Sequence, residues 1–239
     1  MEIEGQLVEG YFLSRDNRFR VTVEVDGQRV WAHLANSGRL GELLVPGRRV
    51  VLVERAGARR KTAYDLSSVG IDGVWVSVDA RLPNDLVAEA LDTGKLGPLA
   101  GYPDVRREVA FGGSRLDFLL EAEDRRPFLV EVKSATLVVD GWACFPDAVT
   151  LRGRRHLLEL ALAVEMGYRA AALFVVQRND ARGLRPHDES DPGFGQTLRA
   201  VARRGVEVYA YACRIEPGRA MIERPLPVNL ESTFALRET

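Results

Sequence analysis

Residues 114–134, SRLDFLLEAEDRRPFLVEVKS, hold two short apolar runs separated by a charged loop, and each run carries acid. Asp117 lies within Leu116 to Leu120, and Glu131 and Lys133 lie within Phe128 to Lys133. Apolar runs of this length, bounded by polar residues, predict buried strands. The loop 121–127 is centred on Asp124, so a hairpin sets position 117 opposite 131. Strand side chains alternate between faces, so Glu131 and Lys133 share one face and Asp117 joins them in this register. Phe128, Val130 and Val132 take the other face, with Leu116, Phe118 and Leu120.

Like charges directly opposed across a strand pair, with Cβ atoms ~5 Å apart, destabilise it. Lys133 supplies one compensating charge. A divalent cation supplies two, and hard cations such as Mg²⁺ favour carboxylate oxygens. Two acids beside a lysine suit a metal-dependent hydrolase, in which the acids hold the cation and the ammonium faces nucleophile or developing charge. A Glu-x-Lys pair is also ordinary on a solvated strand face, and from the residues alone both readings stand. The lysine itself is unusual: of 33 basic residues only Lys61, Lys95 and Lys133 are lysine, and the other 30 are arginine. Lysine is a compact ammonium and arginine a wide fork, which suggests that position 133 needs the ammonium.

The 239 residues suffice for one large domain or two small ones. Hydrophobic content of 46% and charged content of 28% are those of an ordinary globular protein. A net charge of −1 means that any nucleic-acid surface must be a local patch. The start MEIEGQLVEG has neither the basic nor the apolar region of a secretory signal. No apolar run approaches the ~20 residues of a membrane span. Cys144 and Cys213 cannot form a disulfide framework, and no Cys/His cluster has zinc-finger spacing. A reduced, cytoplasmic protein without membrane contact is expected.

Residues 1–81 read as all-β. Strand-like runs occur at 19–25, 29–34, 49–54, 62–69 and 74–78, with turn signals at Asp26-Gly27, Pro46-Gly47 and Asp72-Gly73. About five short strands in this length suit a small barrel such as an OB fold. Residues 82–104 read as a connector with one helix, capped by Asn84 and ended by Gly94. Beyond it come strands at 106–111, 115–120 and 128–133. A helix follows, with Leu157, Leu160, Ala161 and Val164 in phase and Gly167 as its stop. A strand at 170–176, a helix at about 194–204 and a strand at 206–212 complete a βββαβαβ order, which implies a mixed sheet with crossover helices. Residues from about 216 onward are poorly patterned.

Asp-x₁₃-Glu-x-Lys in an α/β domain resembles the PD-(D/E)XK nuclease superfamily. More of the chain resembles the sugar fermentation stimulation protein A (SfsA) family: RFRVTVEVDGQRVWAHLANSGRLGELLVPG, REVAFGGSRLDFLL, VEVKSATL, FPDAVTLRGRRHLLEL and the closing LPVNL. This resemblance implies DNA binding and a fold of class α/β plus all-β: an OB-like barrel at 1–81, then a restriction-endonuclease-like domain with a mixed sheet at 82–239. It maps Asp117, Glu131 and Lys133 onto the catalytic set, with Asp117 and Glu131 as ligands of Mg²⁺ (or Mn²⁺). Glu108 is the candidate for a further upstream acid, with Glu89 as its rival. The family commonly reads RG-x-K-H-L where this chain has Arg152-Gly153-Arg154-Arg155-His156-Leu157.

Two basic patches complete the reading. Arg48, Arg49, Arg55, Arg59, Arg60 and Lys61 meet Glu54 alone within 46–61, a local +5 able to track phosphates. Nearby Phe19, Trp31 and Tyr64 either stack on bases or fill the barrel. Arg152, Arg155 and His156, at the start of the long helix, are expected to contact phosphates. His33, in the other domain, is expected to be structural or a DNA contact. Three functions remain open. The first is a DNA-binding protein with a Mg²⁺-dependent phosphodiesterase (deoxyribonuclease) site. The second is a non-catalytic, largely sequence-nonspecific DNA-binding regulator, linked to sugar metabolism, on the nuclease fold. The third is an interaction scaffold. No residue reads as a sugar site, and the oligomeric state is not legible.

Overall fold

A computed structural model of the chain describes residues 1–55, 57 and 60–231. Its first six strands are β1 (Leu7–Asn17), β2 (Arg20–Val25), β3 (Gln28–His33), β4 (Arg49–Glu54), β5 (Tyr64–Ile71) and β6 (Val74–Ser77). They run in the order β3-β2-β1-β4-β5-β6, and β3 also pairs with β5 at Ala32↔Tyr64 and His33↔Asp65. That contact closes a five-stranded barrel, with β6 as a hairpin arm on β5. Alternation in β2 sends Val21, Val23 and Val25 inward. The turn to β3 uses Asp26 (φ 48°) and Gly27 (φ 72°), the positive-φ pair of a tight hairpin.

The sequence reading omits β1, the strand on which the barrel turns. Gly10 interrupts its apolar pattern because the Glu24 carbonyl of β2 approaches too closely for any Cβ. Two bulges, between Phe12 and Ser14 and between Arg15 and Asn17, break the alternation further on.

Helix α1 (Leu82–Asp92) begins two residues before the expected cap at Asn84, with Pro83 in its first turn, and Gly94 (φ 66°) follows its end. The second domain then runs through β7 (Asp104–Phe111), β8 (Ser114–Glu121), β9 (Phe128–Ala135), β10 (Val138–Val139), β11 (Trp142–Phe145), α2 (Leu151–Glu165), β12 (Arg169–Val176), β13 (Gly183–Pro186), α3 (Pro192–Arg203), β14 (Glu207–Glu216) and β15 (Arg219–Leu226). The main sheet has the order β15-β14-β12-β9-β8-β7. Its centre, β9-β12-β14, is parallel and both margins are antiparallel, so the sheet is mixed. Helices α2 and α3 supply the two crossovers.

Both faces of this sheet are covered. Leu157, Leu160, Leu198 and Val201 pack with Leu129, Ala172 and Phe174 on one side. Leu86 and Val87 of α1 pack with Phe118, Val130 and Leu173 on the other. A strand buried on both faces reads as an unbroken apolar run, as β12 does. Strand β15 corrects the reading of residues beyond 216 as unpatterned. Pro217-Gly218 (φ 78°) turns the chain, and Ala220 and Ile222 point into the core. The small sheet β10-β11-β13 consists of strands of two to four residues, too short to show a period.

The two domains are bolted through Asp147, just before α2. Its Oδ2 accepts the backbone N–H groups of Arg39 (2.8 Å) and Leu40 (3.3 Å) in the loop after β3. Arg15 braces the same loop from within the barrel, donating to the carbonyls of Gly38, Arg39 and Asn36. Asp147→Ala leaves both N–H groups without this acceptor. A stability loss of about 1–2 kcal/mol in urea unfolding is expected, together with faster limited proteolysis of the 34–40 loop.

Candidate metal and nucleic-acid site

The hairpin has the register that its charged loop implies. Leu120↔Phe128, Leu119↔Leu129 and Phe118↔Val130 are paired. There the two strands part, and Asp117 fills the opening. Its Oδ2 accepts the Val132 backbone N–H at 2.7 Å, where a strand partner would otherwise stand. Its Oδ1 accepts Asn84 Nδ2 from α1 at 2.9 Å. The divergence also corrects one side chain. Leu116 packs in the α2–α3 core and not with Phe118 and Leu120, because backbone pairing between β7 and β8 lapses at Glu108 (φ 56°), opposite Asp117.

Glu131 is 4% exposed on β9, facing α2. Its Oε1 accepts Lys133 Nζ at 2.5 Å and also pairs with His156 Nδ1. Its Oε2 is buried with no hydrogen-bond partner. Burial pushes the Glu131 carboxyl upward, but His156 and Lys133 outweigh it and hold it ionised, below its ordinary range. Asp117 goes the other way. Burial and the neighbouring Glu131 charge push it up to about 6, against the bonds from Val132 and Asn84 and the pull of Lys133.

His156 was expected to touch phosphate, and the structure corrects this. It is 3% exposed and turned into the core with Gly153, Leu157 and Leu160. One helical residue rotates 100°, which separates His156 from its exposed neighbour Arg155. The start of α2 is fixed by Thr150, whose Oγ1 accepts Gly153 N–H at 3.0 Å. Buried Asp191 pins both helices: it accepts the N–H groups of Thr150 and Phe194 (each 2.9 Å) and pairs with Arg154. Arg152 and Arg155 are left exposed.

Glu108 sits on the edge strand β7, exposed and ion-paired to Arg115 at 2.8 Å. Glu89 holds the N-terminal ammonium of Met1 at 3.0 Å. No group of three or more Asp, Glu, His or Cys side chains arranged for a metal occurs among the described residues, so neither acid completes the pair. Asn84 is the site residue that sequence reasoning missed. Its type suggests a helix cap, and only the docking of α1 on the sheet brings it to Asp117.

The barrel patch is less positive than its sequence implies. Arg49 pairs with Glu9 at 2.6 Å. Arg55, Arg60 and Arg81 converge on Asp65, which is 3% exposed. These acids come from β1 and β5, beyond the window in which the charge was summed. Arg48 and Lys61 face outward to differing degrees, and Arg59 lies outside the described residues.

Two family models match the chain: the SfsA N-terminal OB domain over residues 13–78 and the sugar fermentation stimulation protein RE domain over residues 81–219. The chain belongs to the SfsA family. A sugar fermentation stimulation protein homolog of Moorella thermoacetica is 48% identical over 232 residues, covering 96% of this chain and all of that one. The homolog of Symbiobacterium thermophilum is 50% identical, covering 92% and 93%. Among solved structures, SfsA of Pyrococcus furiosus, in complex with Ca²⁺, superimposes with a TM-score of 0.88 at 31% identity, covering 96% of this chain and 98% of that one. These matches bear out the OB barrel followed by a mixed-sheet α/β domain. Among the described residues of this SfsA protein no helix is long and apolar enough to cross a membrane.

The raised Asp117 carboxyl has a consequence for stability. An unfolded aspartate titrates near 3.9, so between about pH 4 and 6 the folded state binds more protons. Its contribution is fully present below the unfolded value and lost as pH rises through 6. In EDTA, the wild type should therefore gain roughly 2 kcal/mol on going from pH 7.5 to 4.5 from this group. Asp117→Asn should flatten that slope and raise the melting temperature at pH 7.5, since the Asn84 amide can turn over to keep its bond. Urea denaturation across this pH range measures both.

Proposed function

We propose that this protein binds DNA and hydrolyses its phosphodiester bonds with a divalent cation, Mg²⁺ or Mn²⁺, held by Asp117 and Glu131. The observation that carries this reading is the buried, unpartnered Glu131 Oε2 beside an aspartate pushed up to about 6. Two carboxylates where β8 and β9 part, one with a bare oxygen and the other without a charged donor, fit a hard cation, which keeps several waters when few protein ligands are offered. The Ca²⁺ complex of the Pyrococcus furiosus relative supports a cation that prefers oxygen ligands. Bound there, the cation supplies Lewis-acid polarisation of the phosphoryl group and a bound water of lowered pKa.

The remaining residues divide the work. Lys133 Nζ keeps N–H donors beyond its bond to Glu131 and presents them to the attacking oxygen or to the charge that develops on phosphate. His156 holds Glu131 in one rotamer, and Asn84 does the same for Asp117. Arg152 and Arg155 on α2, with Arg48 and Lys61 on the barrel, meet the phosphate backbone. This gives binding that weakens as salt rises.

A second reading, DNA binding without turnover, is favoured by two observations: Lys133 is already engaged with Glu131, and among the described residues no third acid joins the pair. Incubation with plasmid and oligonucleotides, with and without Mg²⁺ or Mn²⁺, separates the two. Cleavage should require the cation, and Lys133→Met and Lys133→Arg should each lose about 10²-fold or more in rate. DNA affinity measured in EDTA should change less than about threefold, one contact among many being altered. Mg²⁺ should raise the wild-type melting temperature and leave that of Asp117→Asn unmoved. Equal cleavage by wild type and Lys133→Met refutes the catalytic reading, and metal-independent binding alone establishes the second.

A further inference from the structure

The barrel carries a feature that the acidic site does not use. Phe19 and Trp31 are 47% and 54% exposed, whereas Tyr64 packs partly against the barrel core. Neither of the first two is a filling residue of the barrel. Trp31 and His33 share the outer face of β3, opposite Thr22 and Arg20 of β2, and Phe19 lies beside His33 in the turn before β2. The Arg20 guanidinium covers Trp31 with its carbon 4.6 Å from the ring centroid, and Asp16 Oδ2 holds its Nε at 3.1 Å. Arg18 lies 5.3 Å over the Phe19 ring, and the His33 ring is 6.4 Å from it. Two half-exposed aromatic rings are thus each paired with a guanidinium over one face. Two acids border them: Asp16, engaged by Arg20 and Thr22, and Glu24, opposite Arg29.

The row continues toward the acidic site. Arg18 also lines a cleft of about 580 Å³ between the domains, whose other wall includes Ser134, Thr136, Thr150 and Arg152. Ala135, which shares the face of Glu131 and Lys133 on β9, also lines it, and Arg152 precedes His156 by about one turn of α2. Trp31, Arg20, Phe19 and Arg18 therefore lead into the cleft, and the cleft leads to the strand that bears Glu131 and Lys133.

Alternating aromatic faces and cations match the chemistry of an unpaired polynucleotide strand, which offers base faces and phosphates in turn. In a duplex the base faces are already stacked on one another and are closed to these rings. We infer that the Phe19–Trp31 face binds an unpaired DNA strand, stacking bases on both rings while Arg18 and Arg20 meet its phosphates, and that the strand runs on through the cleft to the acidic site. This rests on the DNA reading above and adds the strandedness of the substrate.

The test measures binding in EDTA, where the acids and any cation play no part. Fluorescence anisotropy compares labelled oligo-dT with a duplex of equal length. Oligo-dT should bind the wild type about tenfold more tightly. Trp31→Ala and Phe19→Ala should each lose about tenfold in oligo-dT affinity, the value of one stacked base, while duplex affinity stays within about twofold. Trp31→Phe keeps a stacking face and should retain most of the affinity, and it should lose the tryptophan quenching that oligo-dT produces in the wild type. Unchanged melting temperatures show that the variants are folded. Equal affinity for single strand and duplex overturns the inference, as does wild-type binding by folded Trp31→Ala, and tighter binding of oligo-rU overturns the assignment to DNA. Duplex binding with cleavage but no single-strand preference sinks this inference alone. Single-strand binding without metal-dependent cleavage sinks only the nuclease reading.

Discussion

Burying an ionised carboxylate costs several kcal/mol unless partners replace the water it loses. Glu131 imposes that requirement at the centre of the second domain. Strand β9 lies inside the sheet and is covered on both faces, so compensation must come from within. Lys133 supplies it from two residues along the same face, and His156 supplies it from α2. The second contact requires the helix to sit at one rotation and one height. That is why the start of α2 is fixed twice, by its own Thr150 cap and by the buried Asp191 that also caps α3. One carboxylate thus links a strand, two helix starts and the position of the exposed Arg152.

The acidic pair is asymmetric, and the asymmetry is built into the backbone. Glu131 is satisfied on one oxygen and bare on the other. Asp117 has both oxygens hydrogen-bonded but receives only neutral donors, Val132 N–H and Asn84. Neutral donors stabilise an ionised carboxylate less than a charge does, and here they do not overcome burial and the charge of Glu131. The gap between β8 and β9 is what admits Asp117. Had pairing continued past Phe118↔Val130, the Val132 N–H would have been used by backbone and the carboxylate would have had no fixed seat. The lapse in pairing near Glu108 and the seat for Asp117 occur at one level of the sheet.

How far the sequence reaches depends on the range of each interaction. The hairpin register was legible because loop and strands are contiguous, so the sum of opposed positions could be read directly. Helix ends at Gly94, Gly167 and Gly205 were legible for the same reason, each glycine having positive φ just past its helix. Strand β1 was not, because Gly10 answers to a carbonyl on another strand, and β15 was missed although its Pro-Gly turn was visible. The face of His156 failed by a single residue of helical rotation. The +5 sum overstates the patch because Glu9 and Asp65, which pair with Arg49, Arg55 and Arg60, are distant in sequence. Asn84 carries no local mark of its role at all.

The chain's use of arginine sharpens the case of Lys133. At three acids of this domain the structure uses bidentate forks. Arg199 spans both oxygens of Asp188, Arg178 both oxygens of Asp180, and Arg169 both oxygens of Glu207. A bidentate fork spends its donors on the acid and is the stronger clasp. An arginine has the donors to engage both oxygens of an acid such as Glu131. An ammonium in its place engages Oε1 alone, leaves Oε2 unpartnered, and keeps donors of its own for another group. The choice of the weaker clasp at the most buried acid of the sheet leaves unmet capacity of both signs side by side, and the proposed cation and phosphate draw on it.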